Sequence, residues 1–327
     1  MTSALSLERC AGQARLGGKH CQTNRNAADR RKVPMASIIT ITHRTEYTYD
    51  RPVILNPHRL MLRPRDGHDL WVDDAFLTIR PKATLRWYFD TFGNSVAEAS
   101  FQDATDVLLI ESQLLLRRYA TDRLLRADTS HICPFPFVYT DDDMRDLYPF
   151  LGLQNPLDQA VLDDWLEDKF NQRGSDAVTF LRGLSDTVHM NLRYSARDEM
   201  GTQTAAETIA SGIGTCRDFA FLFMEAARRF GFAARFVTGY LDDRPQGQAS
   251  AIGGGATHAW ADVFVPNEGW IEFDPTNRIT AGSALIRVAT TRTPSQASPI
   301  SGSFQGLDAI CLGLAVSVDV HEDLNRA

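Results

Sequence analysis

From Ile39 onward, hydrophobic and polar positions alternate. Ile39, Ile41, His43, Thr45, Tyr47 and Tyr49 fall on one side, and Thr40, Thr42, Arg44, Glu46, Thr48 and Asp50 on the other. A period of two marks a half-buried β-strand, because successive side chains of a strand point to opposite faces. Residues 60–63, 75–80, 85–91 and 96–101 predict further strands, and Gly93-Asn94-Ser95 supplies the turn between the last two. Residues 36–125 are therefore expected to form an antiparallel β-domain.

The pattern then changes class. Pro134, Pro136, Asp141-Asp142-Asp143 and Pro149 mark a linker over 126–156, with the aspartates in a solvated linker or at a helix start. Helical spacing follows at Leu157, Val161 and Trp165 and again at Val178, Leu181, Leu184 and Val188, which predicts helices over 157–170 and 175–190. Thr204 and Glu207 have the spacing of a capping box and start a third, short helix. The next helix is expected from Cys216 to Phe230, stopped by Gly231, with Phe219, Phe223, Ala226, Ala227 and Phe230 on its buried side. Strands are expected over 235–241, 258–265, 270–273 and within 309–320, separated by loops at 245–255 and 290–306. The fold class is α+β: an N-terminal antiparallel β-domain, an α+β core over 157–280, and loop plus C-terminal strands over 281–327. Residues 1–34, rich in Arg, Lys, Gln and Asn, are expected to be a disordered leader outside the folded protein.

Composition narrows the function classes. With 327 residues, 43% of them hydrophobic, the chain can bury a sizeable core, and usual domain sizes make two domains the expectation. A formal net charge of -7 argues against nucleic acid as a partner, since phosphate binding needs clustered Lys and Arg. Five cysteines without CxxC spacing fit a reducing compartment better than a disulfide framework. No apolar run reaches the roughly 18 residues of a spanning helix, so no membrane partner and a cytoplasmic location are expected. Neither a His-Glu-x-x-His helix nor a calcium-loop spacing occurs, and no metal or organic cofactor is expected.

Three residues carry candidate chemistry. Cys216 falls at the first turn of its helix, where unpaired N–H groups and the positive dipole end favour a thiolate and offer an oxyanion site. Gly212 and Gly214 let the chain approach that helix closely. His258 opens a strand, with Trp260, Asp262 and Phe264 on its face, so the imidazole is held by ordered backbone. Asp274 ends the next strand after the short Pro266-Asn267-Glu268-Gly269 connection and is placed to orient the imidazole. Trp260 and Tyr194 are candidates for lining a substrate groove, against a core-packing role for both. Asp218, two residues beyond the cysteine, points off another side of the helix and is expected to pair with Arg217, Arg235 or a helix end. Cys133 and Cys311 lack an activating setting, and Cys10 and Cys21 fall in the leader.

The segments Gly214-Thr215-Cys216-Arg217-Asp218-Phe219-Ala220, Gly231-Phe232-Ala233-Ala234-Arg235, His258-Ala259-Trp260 and Gly269-Trp270-Ile271-Glu272-Phe273-Asp274-Pro275-Thr276-Asn277 resemble the bacterial transglutaminase-like family over about residues 155–280. The β-domain is similar to that family's N-terminal domain through Tyr47-Thr48-Tyr49, the Arg59 to Pro64-Arg65 run and Asp90-Thr91-Phe92-Gly93-Asn94. The chain departs at Thr291-Arg292-Thr293, where the family often has a Gly-Arg-Asp-Tyr-like segment. The resemblance implies a papain-like core with a Cys-His-Asp triad mapping onto Cys216, His258 and Asp274. It implies thioester-forming acyl transfer on a peptide or protein, to water in an amidase or peptidase and to an amine in a cross-linking enzyme. A non-catalytic peptide-binding module is the rival class, and the intact trio argues against it.

Overall fold

The alternating segment folds as one long strand, β1 (Ala36–Leu55), in which Ile39 and Ile41 are fully buried. The computed structural model describes residues 36–119, 133–171, 176–196, 201–242, 252 and 254–323; the expected leader and most of the 245–255 loop, Gly253 included, lie outside the described residues. After β1 come β2 (His58–Leu60), β3 (Leu70–Arg80), β4 (Ala83–Phe89), β5 (Ser95–Phe101) and β6 (Thr105–Tyr119). Helices and short strands follow: α1 (Asp141–Leu147), α2 (Gln159–Lys169), α3 (Ala177–Asn191), β7 (Arg193–Tyr194), α4 (Ala205–Ser211), β8 (Ile213–Gly214) and α5 (Cys216–Arg229). The chain ends with β9 (Ala234–Leu241), β10 (His258–Val265), β11 (Gly269–Asp274), β12 (Ile279–Thr280), β13 (Leu285–Thr291), β14 (Ile300–Ser301), β15 (Phe304–Gln305) and β16 (Cys311–Asp323). The described residues, from Ala36 onward, form one compact unit.

The N-terminal strands make two antiparallel sheets. One runs β15-β1-β6-β3, with β16 also paired to β1, and the other runs β14-β2-β5-β4. Their facing sides bury Val53, Leu55, Leu60, Ala97, Ala99, Leu108 and Ile110. The Asp90 carboxylate closes the β4–β5 turn by accepting the backbone N–H groups of Phe92 and Asn94, both at 2.9 Å. Gly93 takes a positive φ of 75°, the left-handed conformation glycine adopts most readily.

The core sheet, β12-β11-β10-β9-β13, is also antiparallel. The side chains of Ala259, Ala261, Val263, Val265, Ile271 and Phe273 pack with Phe219, Phe223 and Ala227 of α5 in the main hydrophobic cluster. Burial extends round α5 beyond the expected stripe, since Phe221, Leu222 and Met224 are buried as well. No helix among the described residues is long and apolar enough to cross a membrane.

Three expectations change. The core does not close at 280: β13 joins it as a further strand on β9, and Tyr240, Ile286 and Val288 pack against Ile39, Ile41 and Leu116 of the N-terminal sheet. The 290–306 segment is not simply a loop but holds the end of β13, a tight helical turn at Pro294–Ala297, β14 on β2 and β15 on β1. These strands are too short for local composition to reveal, and their partners lie far away in sequence. The expected linker contains α1, whose Thr140 cap accepts the Asp143 N–H at 3.1 Å while three aspartates occupy its first turn. Carboxylates there oppose the positive end of the helix dipole.

Two buried polar networks tie the layers together. Glu225 and Arg228 of α5 pair at 2.8 Å with side chains 2% and 0% exposed. Glu225 Oε2 accepts the Gln154 N–H at 2.8 Å, and Arg228 Nη2 donates to Ala234 O at 2.7 Å and Arg292 O at 3.2 Å. The pair thereby holds α5 to three other segments.

His43 of β1, buried between the two layers, reaches Tyr240 Oη at 3.2 Å and Thr45 Oγ1 at 2.9 Å. Tyr240 donates its own proton to Leu62 O at 3.1 Å, so it accepts from His43 Nδ1, and His43 Nε2 accepts from Thr45. Burial holds the His43 pKa down to about 4, so the folded state keeps this ring neutral. The stability this contributes is present above the unfolded value near 6.5 and is lost as pH falls from there through 4. Converted at 1.36 kcal/mol per unit, it amounts to roughly 3 kcal/mol. The melting temperature is expected to fall over that pH range, and to fall less steeply in His43→Gln; parallel curves would refute the assignment.

Candidate active site

Cys216 is the first residue of α5, so its N–H has no partner within the helix. Asp218 builds this helix start. Its Oδ2 accepts the Thr215 N–H at 2.8 Å and the Thr215 hydroxyl at 2.9 Å, and its Oδ1 accepts the Gln203 N–H at 2.7 Å. Of the partners considered from the sequence, the helix end is found. Gly214 is required by this packing, because a Cβ there would meet Asp218 Cβ at 2.8 Å.

The short β7 runs parallel to β8, with Tyr194 opposite Gly214 and Ser195 N–H donating to Gly214 O at 3.0 Å. This pairing brings Tyr194 beside the cysteine. Burial first, and then Cys216, push the Tyr194 phenol above its usual pKa.

His258 opens β10 and Asp274 closes β11, adjacent strands in register at Ala261 and Phe273. His258 Nε2–H donates to Asp274 Oδ2 at 2.8 Å, with both side chains 0% exposed. Asp274 Oδ1 accepts the backbone N–H groups of Thr276 at 2.9 Å and Asn277 at 3.3 Å. From the helical side, His189 Nδ1 donates to Pro275 O at 3.1 Å and Arg278 pairs with Asp186 at 2.7 Å. Both flanks of the Asp274 turn are thus fixed.

The second ring nitrogen, Nδ1 of His258, is buried and has no partner of ordinary hydrogen-bond geometry among the described residues. Cys216 nonetheless stands close enough to act on the ring. Burial works against a charged imidazole here, but Asp274 and then Cys216 push the His258 pKa up to about 10. Burial also opposes the Asp274 charge, yet the His258 charge and the hydrogen bonds to its oxygens hold the carboxylate below its usual range. The arrangement is an imidazole oriented by a buried carboxylate, with a thiol at a helix start acting on the ring.

Trp260 stacks on His258 with centroids 6.2 Å apart and planes 30° apart, on the strand face predicted for it. It is completely buried with Val237, Leu241 and Leu285, so it backs the imidazole from within the core. Tyr194 is only half-buried and is the aromatic nearer to solvent. Sequence reasoning overlooked Asn277 as a working residue, although it ends the quoted Asp-Pro-Thr-Asn run. Its side-chain amide donates to Asp274 Oδ2 at 2.9 Å. A cavity of about 320 Å³ lies elsewhere, lined by Arg65, Asp69, Arg118, Arg235, Glu272 and Arg287 among others and by none of the three candidate residues. Burial raises the Cys133 pKa, in keeping with a structural thiol.

With this geometry in place, comparison with known proteins is informative. Residues 39–117 match the bacterial transglutaminase-like N-terminal region, and residues 166–275 match the transglutaminase-like superfamily. An uncharacterised protein of Mycobacterium tuberculosis is 27% identical over 282 residues, covering 80% of this chain and 86% of the relative. An uncharacterised protein of Mycobacterium leprae is 30% identical over 105 residues, covering 32% of this chain and 37% of the relative. Among solved structures, a candidate cysteine protease from Cytophaga hutchinsonii superposes with a TM-score of 0.65 at 18% identity, over 88% of this chain and 91% of that one. That likeness shows the fold.

Proposed function

We propose that this chain, in the broad sense a cysteine-dependent enzyme and matched by both the bacterial transglutaminase-like N-terminal region and the transglutaminase-like superfamily, hydrolyses peptide or protein amides through a thioester on Cys216. The observation that carries this reading is the buried His258–Asp274 pair, which commits Nε2 to the carboxylate and leaves Nδ1 unpartnered among the described residues, on a ring that Cys216 acts on. In the first step the Cys216 sulfur attacks the carbonyl carbon, a C–S bond forms, and the oxyanion faces the free Cys216 N–H. The proton held on His258 Nδ1 passes to the leaving nitrogen, the C–N bond breaks, and the amine departs. In the second step His258 takes a proton from water, the hydroxide attacks the thioester, and the acid product leaves as the proton returns to sulfur.

Water is the acceptor we assign because the sequence carries no motif announcing an amine-acceptor site or calcium control, and an amine would have to reach a thioester sheltered from water. The test is to incubate the protein with a peptide mixture in ¹⁸O-labelled water, with and without a diamine, and to follow the products by mass spectrometry. Label is expected at new carboxyl groups, in amounts little changed by the diamine and absent with Cys216→Ser. Diamine adducts in place of label would make the enzyme a transferase. Unchanged peptides throughout would leave hydrolysis without support.

A further inference from the structure

We propose that Asn277 is a positioning residue of the triad, whose side-chain amide binds the Asp274 carboxylate and the chain leading to His258 into one hydrogen-bonded frame. The inference rests on the catalytic reading above and concerns how that site is held.

Every hydrogen-bonding group of the amide is used. Oδ1 accepts the Ile252 N–H at 2.8 Å, while Nδ2 donates to Ile252 O at 3.1 Å and to Asp274 Oδ2 at 2.9 Å. This fixes the orientation of the amide, because a flipped group would set Oδ1 against two acceptors and Nδ2 against a donor. Nδ2 also lies 3.4 Å from His258 Nε2, but both its hydrogens are spent and Nε2 donates to Asp274. Asp274 Oδ2 therefore receives two donors, the imidazole and the Asn277 amide.

Two consequences follow. The second donor stabilises the fully buried carboxylate as an anion, where an unshared negative charge would be costly. Upstream of His258, Ile252 is held by Asn277, and Gly255 O accepts the Val318 N–H of β16 at 2.9 Å. The strand bearing the base and the turn bearing the carboxylate thus share one brace. Asp274 and His258 are the charged groups nearest the amide. On the α3 side, His189 and the Arg278–Asp186 pair hold the same turn through contacts that do not involve it.

The experiment measures alkylation of Cys216 by iodoacetamide between pH 5 and 9, using mass spectrometry of the full chain with Cys311 as internal reference. Wild type, Asn277→Ala, Arg278→Ala and Ile252→Pro are compared, and circular dichroism verifies folding. Asn277→Ala is expected to slow Cys216 below pH 7 by roughly tenfold, the scale of one hydrogen bond to a buried charge. Arg278→Ala, which loosens the same turn without reaching the carboxylate, should slow Cys216 far less than Asn277→Ala does, while Ile252→Pro should slow Cys216 in the same direction by a smaller factor than Asn277→Ala. If Asn277→Ala does not fold, Ile252→Pro decides, since it removes a donor to the amide without touching Asn277. An unchanged profile in both Asn277→Ala and Ile252→Pro would overturn the proposal, and so would equal slowing in Arg278→Ala, which would make turn rigidity the cause. A wild-type Cys216 no faster than Cys311 would instead sink the catalytic reading itself, and this inference with it.

Discussion

Asp274→Asn is expected to lower turnover by about 10³ to 10⁴-fold while leaving the protein folded, on the scale found when the carboxylate of such a triad becomes an amide. The direction follows from the neighbours. Asp274 Oδ1 is held by the Thr276 and Asn277 N–H groups, so the oxygen of an asparagine would stay there and its NH₂ would face His258 Nε2. The ring would then have to accept at Nε2 and carry its proton on Nδ1, the tautomer that cannot take a proton from the thiol or from water. The charge effect points the same way. In the parent protein Asp274 and Cys216 hold the imidazole pKa at about 10 against burial, so the stability of the charged pair is fully present below the unfolded value near 6.5 and is lost as pH rises through 10. Without the carboxylate, burial lowers the ring pKa. The alkaline limb of kcat/KM, expected near pH 10 in the parent protein, should move down by several units. An Asp274→Asn profile that kept both rate and limb would remove the carboxylate from the mechanism.

The other large effect is expected at the nucleophile. Cys216→Ser should reduce kcat/KM on a fluorogenic peptide by at least about 10³-fold, since removing a covalent nucleophile forfeits the pathway while leaving only binding and oxyanion stabilisation. Stability should scarcely change, because the side chain is 8% exposed at a helix start and oxygen is smaller than sulfur. The paired measurement is a thermal melt beside the kinetic assay: loss of rate at constant melting temperature supports the role, and retained turnover excludes it. Trapping the parent protein, but not Cys216→Ser, with a peptide bearing a thiol-reactive electrophile separates the same two outcomes without knowledge of the natural substrate.

Much of this site could be read from local pattern. Periodicity located the helix beginning at Cys216, the capping box of α4 and the strand beginning at His258, because each depends on residues within a few positions of one another. The short connection between β10 and β11 made their pairing legible, and with it the approach of Asp274 to His258. Long-range pairing was not legible. Nothing local to Leu285–Thr291 announces that it lies beside β9, and two-residue strands such as β14 and β15 carry no period at all. Tyr194 reaches the cysteine through a two-residue parallel pairing of the same hidden kind. Asn277 was visible as a letter in a motif, but its work depends on Ile252, a residue on the far side of the β10–β11 hairpin.

The pairing of β16 with β1, which joins Ile38 to Asp323 and Thr48 to Gly313, bears on how the protein is made. These partners stand at opposite ends of the described chain, so the N-terminal sheet must wait for its last member until the chain has been made through Asp323. Contacts this distant raise contact order and slow folding. Strands β9 to β12 of the core sheet, by contrast, follow one another in sequence and can pair earlier. Premature termination before Cys311 would therefore leave the core strands complete while exposing one edge of β1 along most of its length, an open edge of the kind that recruits other chains into aggregates.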